Sequence, residues 1–98
     1  MNRKEAIHKK LNEASLEMLE FIRESENNFN NTDRWVPAAI IRRDLDLLFE
    51  ATPKNGTQHG RVDWVFTTFA RMLEDKLLIE YKKENSKSFY RSLKTNLK

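Results

Sequence analysis

The most regular pattern of apolar and polar positions lies between Gly60 and Leu93. Val62, Val65, Phe66, Phe69 and Leu73 recur at the spacing of one face of a 3.6-residue helix, which predicts a helix over 60–76. Gly60 serves as its N-cap, and Asp63 suits the positive end of the helix dipole. Trp64, Thr67 and Arg71 fall on the opposite face, with Thr68 at its margin. After Lys76 the period drops to two. Leu78 to Lys83 and Ser88 to Leu93 read as strands around the polar loop Glu84 to Lys87, a hairpin over 78–93. A four-residue loop pairs Lys83 with Ser88, Tyr81 with Tyr90, Glu80 with Arg91 and Leu78 with Leu93. That register sets an aromatic, an opposite-charge and an apolar pair across the strands, each worth about 0.2–1 kcal/mol.

Upstream, Ile7, Leu11, Ala14, Met18 and Ile22 form a stripe on a long helix over 1–26, widened by Leu19 and Phe21. Glu13–Glu17 and Glu20–Glu24 are like-charge pairs one turn apart, so packing and not propensity must hold this helix. About 25 residues span roughly 37 Å, more than so small a domain covers. Its first three turns are therefore expected to project, and Ile7, Leu11 and Met18 are the candidate contacts with a second subunit. The asparagines among Ser25 to Asp33 favour a loop, with Phe29 tucked against the core. Arg34 to Val36 read as a short strand, since a residue before proline is pushed toward extended geometry. Pro37 then opens a second helix over 37–50, burying Ala38, Ile41, Leu45 and Leu48 and carrying an Arg42–Asp46 pair outside. Ala51 to His59 contains proline and Asn-Gly without apolar period, a loop of about nine residues.

Composition narrows the class. Ninety-eight residues make a single domain, and 39% hydrophobic with 34% charged residues fit a folded one. No run approaches the roughly 20 apolar residues of a membrane span. With no cysteine there is neither disulfide nor thiolate chemistry, and a cytoplasmic location is expected. The net charge of +3 is unevenly placed. Segments 1–26, 27–59 and 60–81 are close to neutral, whereas 82–98 hold Lys82, Lys83, Lys87, Arg91, Lys94 and Lys98 against Glu84 alone. Such a cluster attracts a polyanion.

The order helix, short strand, helix, turn, helix, hairpin resembles the winged helix-turn-helix superfamily. The resemblance covers Ile7 to Leu93 and is strongest over Phe69 to Glu80, which looks like the end of a recognition helix running into the first wing strand. It implies an α+β fold, mostly α, with three helices and a C-terminal two-stranded wing. In that superfamily the third helix lies in the major groove and the wing touches backbone or minor groove. The resemblance therefore implies double-stranded DNA as partner, a role in transcription regulation, and a homodimer on twofold-related half-sites. It gives Arg61, Trp64, Thr67, Thr68 and Arg71 to the groove and Lys82, Lys83, Asn85, Lys87 and Arg91 to the wing. The sequence departs from the superfamily between the second and third helices, where its turn is about nine residues instead of three or four.

Each of these residues has a plainer reading. Arg71 can pair with Asp75 one turn on, Trp64 can pack under the long loop, and lysines on a wing edge also protect it from pairing. Winged helices serve as protein–protein modules too, and +3 is a low charge for a DNA binder. Catalysis is not expected. Asp63 with Glu80-Tyr81-Lys82 echoes the carboxylates and lysine of restriction-type nucleases, but a full helix separates them. His8 and His59 are far apart without spaced partners, so neither a metal nor another cofactor is expected.

Overall fold

A computed structural model describes residues 2–47 and 64–93. These residues build a mixed α+β fold, mostly helical, in the order α1 (Arg3–Ser25), two 3-10 turns (Glu26–Asn28 and Asn30–Thr32), β1 (Val36–Pro37), α2 (Ala38–Leu45), α3 (Trp64–Asp75), β2 (Ile79–Glu84) and β3 (Lys87–Ser92). The strands form one antiparallel sheet in the order β1-β3-β2.

Helix α1 begins with a capping box: Asn2 Oδ1 accepts from the Glu5 amide at 2.8 Å, and Glu5 returns to the Asn2 amide at 3.2 Å. Only its second half is buried, at Ser15, Met18, Leu19, Ile22 and Ser25. Ile7 and Leu11 stay 58% and 45% exposed on turns that project beyond the body. Met18, expected on the same outer stripe, is 2% exposed and belongs to the core. The core joins Met18, Leu19 and Ile22 to Val36, Ala38 and Ile41, to Val65, Phe66, Phe69 and Leu73 of α3, and to Ile79 and Tyr90 of the sheet. Phe29 is partly buried against it, as expected.

Three boundaries differ from the sequence reading. The first strand is Val36–Pro37, not 34–36, because Asp33 and Arg34 both take positive φ in the turn before it. Pro37 is the N-cap of α2 in extended geometry (ψ 135°), so the helix starts at Ala38. It ends at Leu45, not 50, because Asp46 turns left-handed (φ 48°, ψ 51°), a conformation aspartate tolerates better than most residues. The segment 48–63 is outside the described residues, and with it the expected loop and the start of the third helix at Gly60.

The hairpin has the expected register, with Glu80 opposite Arg91, Tyr81 opposite Tyr90 and Lys83 opposite Ser88. Its loop is shorter, because Glu84 and Lys87 also pair. Asn85 and Ser86, at φ 52° and 66°, make a two-residue turn of the kind whose twist matches the strands. Helix α3 passes into β2 through Leu77 at φ 60°: the Leu78 amide donates to Leu73 O and the Leu77 amide to Glu74 O, both at 2.9 Å. This is a Schellman stop with leucine where glycine is usual.

A buried carboxylate ties the two ends of the fold. Glu26, directly after α1, accepts from Arg34 Nη1 at 3.1 Å and from the Ser92 amide at 2.5 Å. Arg34 Nη1 also lies 3.4 Å from Ser92 O. Removing one member leaves buried groups without partners, so Glu26→Ala should lower unfolding free energy by about 2–4 kcal/mol. Glu26→Gln keeps an acceptor for Ser92 and should cost less; urea denaturation of both variants checks the order. At Leu77 the side chain is 71% exposed and the backbone left-handed, so Leu77→Gly should raise stability by about 0.5–1 kcal/mol in the same assay.

Candidate nucleic-acid interface

Alternation along the hairpin sorts its side chains onto two faces. Ile79, Tyr81 and Lys83 share one with Ser88, Tyr90 and Ser92; Glu80, Lys82 and Glu84 share the other with Lys87, Phe89 and Arg91. Helix α3 covers the first face. The Phe66 ring meets Tyr90 edge-on at 5.7 Å, and Tyr81 lies against Tyr90 at 5.2 Å. Beyond this contact the helix and hairpin border an open recess of ≈ 330 Å³, lined by Thr67, Arg71 and Glu74 from α3 and by Tyr81 and Ser88 from the hairpin. Arg42 of α2 closes one side, its guanidinium 4.6 Å from the centre of the Phe66 ring.

The chemistry of this recess is polar and net cationic. Two guanidiniums and four hydroxyls, Tyr90 supplying the fourth, face one carboxylate, Glu74. Forked guanidinium donors suit phosphate oxygens, and hydroxyls can donate to the same groups. Arg71 is exposed and, among the described residues, is held by no ion pair, to Asp75 or any other carboxylate. Thr67 is half-buried, while Thr68 and Trp64 are exposed on the same outward side of α3, Trp64 at 43%. Lys83 stands on the hairpin face turned to the helix, and Asn85 occupies the tip. Arg61 and Asp63 are outside the described residues.

The remaining hairpin cations lie on the far face, and two of them hold the fold. Arg91 bonds Glu80 at 2.6 Å, donates to Asp33 O at 2.9 Å and stacks 4.2 Å from the Trp35 ring. Lys82 pairs with Glu84 at 3.3 Å and sits 4.9 Å from Trp35 and 5.4 Å from Phe89. Trp35 is thus a platform for two cations on the outside of the sheet. Lys87 is exposed at the tip and borders a second groove, of ≈ 420 Å³, that runs toward Pro37 and Arg42. The sequence reading placed Arg42 on an outer helix face; the structure places it where α2, α3 and the hairpin meet. Its position one step round the helix from fully buried Ile41 was the available signal.

No known protein family, curated protein or solved structure matches the chain.

Burial beneath this recess perturbs one group. The Tyr90 phenol is pushed up to about 12 by burial, with Glu74 and Tyr81 adding and Arg42 opposing. The folded state therefore holds this proton more tightly than the unfolded chain, whose phenol ionises near ~10. That contribution is fully present below about pH 10 and is lost as pH rises toward about 12. Against Tyr90→Phe, the parent should lose up to about 2–3 kcal/mol across that interval, read from denaturation midpoints at each pH.

Proposed function

We propose that this chain is a winged helix-turn-helix protein that binds double-stranded DNA, with α3 in the major groove and the hairpin on the flanking backbone. The observation that carries the reading is the shared recess, in which the outward side of α3 and the inner face of the hairpin form one surface with Arg42 and Arg71 in its lining, while Lys83 stands on the same face of the hairpin. A guanidinium on the groove-facing side can fork onto a guanine edge or onto phosphate. Thr67 and Thr68 supply short donors beside it, and Lys83 and Lys87 serve as phosphate contacts. Lys82 and Arg91 act in this reading by stiffening the wing on Trp35. Regulation of transcription is the role such a module would serve.

A second reading, a protein–protein module of the same shape, is favoured by Trp64, an aromatic ring 43% exposed on the outward side of α3. Salt separates the two. Duplex binding through phosphates falls with a log–log slope of about −0.9 per contact. Fluorescence anisotropy on a random duplex should give such a slope, and Arg71→Ala and Lys83→Ala should each reduce it by roughly one contact. Lys82→Ala should leave it unchanged. Absent or salt-insensitive binding of the parent would favour the protein partner.

A further inference from the structure

Helix α1 carries a second pattern, and its projecting part, Ile7, Leu11 and Ala14, is used by neither the fold nor the recess. Ile7, Leu11, Ala14, Met18 and Phe21 follow one another at steps of four, three, four and three residues, the spacing of a two-helix seam. Ile7, Leu11 and Ala14 are exposed and Phe21 is half-buried; only Met18 is fully covered by the chain's own core. Flanking that seam, seven residues apart, stand Arg3, Lys10, Glu17 and Glu24. All four are exposed, and none has an ion-pair partner among the described residues. Two cations are followed by two anions on a single edge of the helix.

This order specifies an occupant. We infer that a second copy of this chain pairs with it through α1, with the two helices antiparallel. In that orientation Arg3 of each copy faces Glu24 of the other, and Lys10 faces Glu17, four opposite-charge contacts in all. The twofold axis passes close to Ala14, whose small side chain lets the helices approach, and Leu11 of each copy lies beside it. A parallel pair would set the basic halves against each other. The charge alternation also separates this surface from the recess, none of whose lining residues belongs to α1. The pairing therefore does not rest on the DNA-binding reading.

The absence of cysteine makes the orientation measurable. In the full chain, Ala14→Cys should cross-link rapidly under mild oxidation, whereas Ile7→Cys should not. Its two copies would sit about 13 residues apart along the axis, roughly 20 Å. Equal cross-linking of both would overturn the antiparallel arrangement. Sedimentation equilibrium supplies the second arm. Arg3→Glu with Lys10→Glu should weaken self-association at least about tenfold, as should Glu17→Lys with Glu24→Lys. Mixing the two variants, or combining all four substitutions in one chain, should restore the dimer. A parent that is monomeric at ~100 μM and low salt, or variants that associate as the parent does, would overturn the pairing itself.

Discussion

The fold depends on a carboxylate taken out of water. Glu26 sits where α1 ends, and its two oxygens reach Arg34, just before β1, and the amide of Ser92, at the end of β3. One side chain thereby fixes the long helix, the turn into the sheet and the last residue of the hairpin in a common frame. A buried charge is costly unless its partners are all present, so these segments hold their relative places together or not at all. The same pair accounts for a strained backbone. Arg34 is left-handed at φ 68°, and its guanidinium is anchored to Glu26 while its amide donates to Phe29 O at 2.9 Å.

From that frame the position of the recess follows. Because β3 is central and held at Ser92, the face of the hairpin that meets α3 is set by parity: Tyr90 and Ser92 point inward, so Ser88, Tyr81 and Lys83 must lie on the same side. The Schellman stop at Leu77 leaves only Lys76, Leu77 and Leu78 between α3 and β2, which keeps Arg71 and Tyr81 at the walls of one recess. On the outer face the same parity sends Lys82 and Arg91 to Trp35. A basic cluster that is continuous in sequence is thus divided between two faces: Lys83 turns to the side of α3, while Lys82 and Arg91 brace the sheet.

The parts of this arrangement that were legible in the sequence are those fixed by local period and pair chemistry. The outward side of α3 follows from the apolar spacing of Val65, Phe66, Phe69 and Leu73, and the hairpin register from the coincidence of Tyr81 with Tyr90 and of Glu80 with Arg91. The four-residue loop was one pair too long because Glu84 and Lys87 resemble loop residues by composition, and only the positive φ of Asn85 and Ser86 shows the tighter turn. The end of α2 was hidden for a similar reason: Leu47 continues the apolar content past Asp46, while the left-handed turn at Asp46 has no period to announce it. Glu26 and Arg42 were missed because their roles are long-range. A carboxylate among asparagines reads as a solvated loop, and nothing within eight residues reveals that Ser92 will offer its amide. Similarly, Met18 belongs to one seam by spacing and to the core by packing, and the contest is decided by residues of α3 that no helix period can include.

Helix α1 divides along its length in a way that explains its own apparent faults. Its second half is held by the core, so the repulsion between Glu13 and Glu17 and between Glu20 and Glu24 is tolerated there at a few tenths of a kcal/mol each. Its first half has no such cover, and a helix of about three turns is marginal in water without help. The capping box at Asn2 and Glu5 and continuity with the packed half both favour it, yet neither accounts for Ile7 and Leu11 left in solvent beside a run of cations. Both oddities, an anionic half in which Arg23 answers Glu20 but Glu17 and Glu24 have no ion-pair partner among the described residues, and a cationic half with an unshielded seam, would be removed if each became the complement of the other across a twofold axis. The charges that weaken the isolated helix are then the ones that select its partner's direction.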